Sequence, residues 1–514
     1  MFKNATVVTL LGLTSQIAGY LRMAIIAFYY GLSAQIDAYY LALAIPSLLT
    51  LIFSNWLQLA FVGRYTALVT EEHTELAASF RTTLLATVFI LSSLVCLLGL
   101  TFPAAPFHLL LPTPNADASD AFQWLIIMVV PVVIADFMGQ ALNAHGRFGL
   151  AALAPLANAA VAVVTLWYWQ DTALADLSDS PLAPLIGSLL LGALTQLLVI
   201  GKPFLNLSRL HLTVTPELRQ EMRTVLCHSG YILPAIALSG AMLSIMQFSV
   251  AQLGAVSVGS VAAMTFANRL NNGLSQLVVI GFSTVLLPQF ATLATRGEHD
   301  ITFHLLRRLA RGSVFIGLTL CVMAYLFAEP VIELLFVRGA FATHHARITS
   351  EILLILCLSL PALALGTFIA RYYSALRRVD LLLWSGMLGF AGVTLIATAG
   401  VAVQNVLLIA AAPLVAYLLT LSFWLRQLAR EFSITLLLQD IGHALWRTAL
   451  VATAVVIADY ALVSSLSLNN DLIATAVRGT TASLLFGVVV MISGTLQWLL
   501  DPYRSTPTSN PGRT

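Results

Sequence analysis

Along the chain, long apolar runs alternate with short polar stretches, and a run of about 20 apolar residues is the length that carries a helix across a bilayer core. Fourteen such runs emerge, at 6–30, 37–62, 82–104, 122–144, 149–168, 182–201, 226–251, 258–287, 312–336, 349–373, 381–401, 405–425, 441–464 and 474–499. The pattern predicts an all-α integral membrane protein with about fourteen transmembrane helices. The first run follows only Met1 to Asn4, holds Arg22, and ends without a small-residue cleavage site, so it reads as a retained helix and not a signal peptide. Residues 505–514, rich in Pro, Ser and Thr, read as a disordered tail.

Composition agrees with this reading. Of 514 residues, 59% are apolar and only 9% charged, against about 25% charged in an ordinary soluble protein. A balance of 25 Lys+Arg and 23 Asp+Glu leaves no basic face for nucleic acid. Cys96, Cys227, Cys321 and Cys357 all lie in apolar runs, where a thiol behaves as a small hydrophobe, so neither a disulfide framework nor a metal site is expected. With the N-terminus inside, alternate loops hold 20 Lys and Arg on the inner side and three, Arg338, Arg347 and Arg478, on the outer. One missed or invented helix would flip every later loop, so the split supports fourteen spans with both termini cytoplasmic.

Two cations fall in no loop. Arg22 and Arg269 sit inside apolar runs, and an Arg at the bilayer centre costs roughly 2.5 to 3.5 kcal/mol on insertion scales. Snorkelling to an interface or pairing with a nearby acid is the ordinary alternative. A wet cavity is the favoured one, because Arg22 lies far into its run and Arg269 sits in the polar cluster Phe266-Ala-Asn-Arg-Leu-Asn-Asn272. Asp136 is the third intramembrane charge, open to reading as a proton or cation site, an Arg counter-ion or a helix-end acid. Asp37 suits a helix N-cap or a substrate contact equally. His344 and His345 form an outer-loop pair lacking a third metal ligand. No catalytic constellation, cofactor motif or soluble domain emerges, which favours a transporter over an enzyme.

Several stretches carry a more specific resemblance. Gly12 to Arg22, then Tyr30-Gly-Leu-Ser-Ala-Gln-Ile-Asp37-Ala-Tyr-Tyr40 and Ile45-Pro46, resemble the opening helices of the MurJ/MviN family of lipid II flippases, within the multidrug/oligosaccharidyl-lipid/polysaccharide (MOP) exporter superfamily. Leu142 to Phe148 with Pro155 and Asn158, Ala267-Asn-Arg269-Leu270 with Pro288, Pro330 to Phe341, and Ala370 to Leu376 are similar to further family stretches, in order, over about residues 5 to 380.

That resemblance implies two pseudo-symmetric six-helix lobes, 1–205 and 206–435, two extra C-terminal helices over 436–504, and the tail 505–514. It implies a bacterial inner-membrane flippase with no cofactor, moving an undecaprenyl-pyrophosphate-linked glycan to the outer leaflet by alternating access, for peptidoglycan or exopolysaccharide biosynthesis. Arg22 and Arg269 would hold the pyrophosphate, since a guanidinium offers bidentate, always-charged donors. From this sequence's own residues, Gln16, Asp37, Asn55 and Asn268 are further candidate substrate contacts, and Asp136 is a candidate for ion or proton coupling beside its other readings. The partners implied are the polyprenyl-linked saccharide, the phospholipid membrane, a coupling ion, and polymerase or glycosyltransferase machinery. Departures from the family pattern also matter: Gln16, Met23, Thr50, Asn55 and Asn268 stand where charged residues are usual. A less charged cavity points to a glycan with fewer acidic groups than lipid II. An ion-coupled small-molecule exporter and a non-transporting scaffold for polymer assembly are the readings from other classes.

Overall fold

The computed structural model describes residues 2–71, 73–112, 115–170, 180–207, 213, 215–254, 258–276, 299–376, 378–432 and 434–465. Among these no strand occurs. The helices are α1 (Phe2–Tyr30), α2 (Ala34–Ala60), α3 (Val62–Thr70), α4 (Thr74–Thr101), α5 (Ala105–Leu110), α6 (Ala116–Leu125) and α7 (Val129–Ala144). There follow α8 (Phe148–Gln170), α9 (Ala183–Leu205), α10 (Pro216–Gly240), α11 (Met242–Ala251) and α12, helical from 260 to 276. The last are α13 (His299–Phe336), α14 (Thr343–Cys357), α15 (Leu360–Ala375), α16 (Val379–Ala402), α17 (Val406–Ala410), α18 (Ala412–Leu428) and α19 (Ile434–Ser465).

Ten helical segments among the described residues are long and apolar enough to cross a membrane, and an eleventh is the pair Leu233–Gly240 and Met242–Ala251, bent by 41°. These eleven coincide with the first seven expected spans and the ninth to the twelfth. The second half of the eighth span with Pro288, the fourteenth span and the tail lie outside the described residues.

Polar helix ends account for most boundary differences. The ninth span, expected from 312, begins at His299, because the polar turn carrying Arg307, Arg308 and Arg311 is helical too. Likewise α4 starts at Thr74, so Arg81, counted above with a loop, belongs to a helix. It is fully buried, with its guanidinium 5.0 Å from the Phe204 ring centroid. His344 and His345 also lie in the first turn of α14 and not in a loop, and His345 Nδ1 accepts the Ala342 N–H at 3.2 Å.

Sequence dictates the helix starts by short-range hydrogen bonding. Ser33 precedes α2 and its hydroxyl accepts the Ile36 N–H, while Thr215, before Pro216, accepts from Leu218 at the head of α10. Outward faces are apolar: Leu10, Leu13, Ile17, Leu21 and Phe28 form an exposed stripe along α1 at helical spacing. Such a stripe is unfavourable in water and neutral against lipid.

The chain forms two compact units. One comprises Met1–Arg269, Leu335–Ile352 and Val379–Ala416. In it α8 packs on α1 and α9, α7 on α9, α2 and α4, and α10 on α2 and α16. Trp56 Nε1 on α2 donates to Ser229 Oγ on α10 at 2.6 Å, and Arg64 on α3 forms a two-pronged ion pair with Glu221 on α10, with Nε to Oε2 at 2.6 Å.

The other unit comprises Leu270–Leu334, Leu353–Arg378 and Tyr417–Thr514. Here Gly317 lets α13 approach α15 so closely that a Cβ would stand 2.8 Å from Pro361 Cα. Arg307 Nε donates to Asp440 Oδ2 at 2.6 Å, both side chains only 9% exposed. Phe303 stacks on Phe432, and Tyr373 on Trp424.

Candidate functional site

Of the expected site residues, Arg22, Arg269 and Gln16 lie near one another in the first unit. Arg22, on α1, is half-buried, and its Nη2 donates to the Tyr39 hydroxyl at 2.8 Å. Its Nε is buried with no hydrogen-bond partner. Buried N–H groups are nearly always satisfied, so an open donor on a guanidinium at membrane depth is a place where an acceptor can bind. The phenol supplies one neutral acceptor and leaves the positive charge uncancelled.

Arg269, on α12, packs against α1 at Gln16, Gly19 and Tyr20. Its Nη2 donates to Gln16 Oε1 at 3.3 Å. The same nitrogen lies where a Cβ on Gly19 would be only 2.6 Å away, so the absence of a side chain there makes the seat. Tyr20 donates to the Arg269 carbonyl at 3.5 Å. Tyr40, whose ring meets Phe266 edge-on with centroids 5.8 Å apart, stands close enough to Arg22 and Arg269 for both charges to act on its hydroxyl. Two guanidinium groups, neither ion-paired with any described acid, thus share one neighbourhood of tyrosines and one glutamine. Such a place attracts an anion, and a diphosphate offers several acceptors to such donors.

Other expected site residues are placed differently. Asp37 serves as a helix cap, though not of its own helix: its Oδ2 accepts the Gly259 N–H at 2.6 Å and its Oδ1 the Ala262 N–H at 2.8 Å, closing the N-terminus of α12. Around this cap three glycines with positive φ, Gly31, Gly259 and Gly339, bring backbones into contact with Ala340, Leu32 and Phe28 respectively. The Ala340 N–H donates to the Phe28 carbonyl at 2.8 Å. Asn55 and Asn268 are half-buried and take no part in the Arg22 and Arg269 contacts.

Asp136 forms a second centre, on α7. Ser54 Oγ donates to its Oδ2, Gln196 Nε2 donates to its Oδ1 at 3.2 Å, and Asn158 Nδ2 donates to Gln196 Oε1 at 2.7 Å. Gly192 makes room for this chain, because any side chain there would strike the Asn158 amide oxygen.

Sequence reasoning picked out Gln16, Arg22, Arg269 and Asp136 and missed the groups that hold them. Tyr20 and Tyr39 were visible as polar rings two residues from Arg22 and Asp37 respectively. Ser54 and Gln196 were visible only as small polar breaks in apolar runs.

The fold built on these helices is shared by known membrane transporters. A structure titled "Lipid II flippase MurJ, inward closed conformation" superposes with a TM-score of 0.77 at 16% identity, covering 96% of this chain and 99% of that one. A MATE-family multidrug transporter of the MOP superfamily in its inward-facing conformation gives 0.61 at 14% identity, covering 82% and 96%. The class is therefore a multi-span α-helical membrane protein with the fold common to MurJ and MATE transporters.

Within that class, the family model described as "Lipid II flippase MurJ" matches residues 26–480, and the chain belongs to that family. Curated relatives named "Probable lipid II flippase MurJ" include those of Bdellovibrio bacteriovorus, 28% identical over 68% of this chain, and Rhizobium meliloti, 25% identical over 69%. The match spans 66% of the length of each of these two relatives.

Proposed function

We propose that the protein is a flippase that carries an undecaprenyl-pyrophosphate-linked glycan, lipid II or an exopolysaccharide repeat unit, from the cytoplasmic to the outer leaflet of the bacterial inner membrane. The observation that carries this reading is the pairing of Arg22 and Arg269 around neutral partners, in a chain of the MurJ family. Two fixed positive charges at membrane depth favour a polyvalent anion, and they disfavour the cationic drugs that a small-molecule exporter would take.

The two guanidinium groups grip the diphosphate, Gln16 hydrogen-bonds the head group, and the polyprenyl tail stays in lipid. No bond in the substrate is made or broken, so the work is transport and not catalysis. The lobes 1–205 and 206–435 are the moving parts, with both termini in the cytoplasm and 436–504 as an accessory pair of helices. The product is delivered to the polymerising machinery on the outer face.

Complementation tests this reading. The chain is expressed in a bacterium depleted of its own lipid II flippase, and survival is followed together with lipid II exposed at the outer leaflet. Rescue that disappears in Arg22→Ala and Arg269→Ala supports lipid II as substrate. Failure to rescue despite normal membrane expression directs attention to an exopolysaccharide unit, identified by the polymer lost when the gene is deleted in its host. Rescue that survives both alanine substitutions overturns the site.

A further inference from the structure

We propose that Asp136 is a proton-carrying site of the first unit, taking up and releasing one proton as the protein changes conformation. Ser54 and Gln196 are the groups that hold it in both protonation states.

The argument starts from the environment. Asp136 lies on a membrane-spanning helix and forms no ion pair among the described residues; its partners there are a hydroxyl and a carboxamide. A lone carboxylate at this depth is strongly disfavoured unless a cation joins it or a proton neutralises it.

No cation on the described helices packed against α7 fills that role. The helices packed on α7 are α2, α3, α4, α8 and α9. Their charged groups are Asp37, which caps α12; Arg64, which pairs with Glu221; Glu75 in the first turn of α4; Arg81, set against Phe204; and Lys202 in the last turn of α9. Helix α8 carries no charged residue.

A metal cation is poorly served too. It needs a shell of oxygen ligands, yet Gln196 turns its NH2 toward the carboxylate and gives its oxygen to Asn158. That leaves the carboxylate and one hydroxyl.

A proton suits the same groups. In the ionised form Ser54 and Gln196 both donate to the carboxylate. On protonation the new O–H forms on Oδ2 and donates to Ser54 Oγ, while the Ser54 hydroxyl turns to a carbonyl one turn back on its own helix, as serines in helices do. Gln196 goes on donating to Oδ1. The balance is one proton exchanged with water, with no other bond changed. Because Ser54 is on α2 and Gln196 on α9, the protonation state is felt by three helices together.

This inference rests on the chain being a transporter, but its test requires no substrate, so the two readings fail separately. Full-length protein in lipid nanodiscs is examined by infrared difference spectroscopy over a pH series, for wild type, Asp136→Asn and Ser54→Ala. The expected result is a carboxylic-acid C=O band that titrates in the wild type and is missing from Asp136→Asn, a substitution that copies the neutral form. In Ser54→Ala the band should remain, with the proton concentration at half-titration moved about tenfold, equivalent to one pKa unit. Identical pH-dependent spectra in wild type and both variants would overturn the proposal. So would a band that responds to sodium at constant pH, which would reassign the site to a metal cation.

Discussion

Arg307 is buried near the polar start of α13 and Arg22 is half-buried within the apolar run of α1, and they are balanced in opposite ways. Arg307 meets the carboxylate of Asp440 at 2.6 Å, and the pair is nearly closed to solvent. Arg22 meets only the neutral Tyr39 hydroxyl and keeps one N–H unanswered. The first arrangement cancels charge and joins α13 to α19. The second leaves the charge uncancelled, which is what the proposed anion site requires. What faces a withdrawn arginine, a carboxylate at Arg307 and a phenol at Arg22, decides whether its charge is cancelled.

The largest effect expected from this contrast is on stability, at the paired site. Arg307→Ala or Asp440→Ala strands a buried charge and should destabilise the protein by about 3–5 kcal/mol, read from denaturation in detergent. The double change Arg307→Met with Asp440→Leu should recover most of that loss; failure to recover would mean that the pair does more than cancel charge. At the unpaired site the order reverses. Arg22→Ala should leave the unfolding midpoint near wild type and reduce binding of a polyprenyl pyrophosphate by roughly 10- to 100-fold, the scale of one or two hydrogen bonds to a charged group.

Tyr39→Phe probes the same place more gently. It removes the acceptor of Arg22 among the described residues, and the freed guanidinium should hold the diphosphate as well as or slightly better than wild type, with stability lower by about 1 kcal/mol. A large loss of binding on Tyr39→Phe would show that the phenol positions the arginine. The smallest effect is expected at Arg64 and Glu221. The Arg64 side chain is 42% exposed, so Arg64→Ala should change stability by only about 0–1 kcal/mol.

Much of this was legible from apolar runs alone, because a bilayer imposes a length on each helix that sequence cannot disguise. Arg22, Arg269 and Asp136 stood out for the same reason, each a charge where none is tolerated without cause. The helix ends were less legible: Arg81 and Arg307 sit where polarity rises, and hydropathy cannot tell a polar helical turn from a loop. Nor could it tell that Asp37 caps a helix more than 200 residues further along, since capping rules read only local sequence. Gly19 was also silent, because an empty seat for Arg269 becomes visible only when α1 and α12 lie side by side.

The meeting of Gly31, Gly259 and Gly339 beside the Asp37 cap has a mechanical consequence. Main chain rests on main chain there, with less clearance than one methyl group, so the joint has no play. Side-chain chemistry cannot loosen such a joint by degrees: the backbone segments touch or they part. A methyl placed at any of the three positions would act as a doorstop, holding the surfaces ajar without altering a single charge.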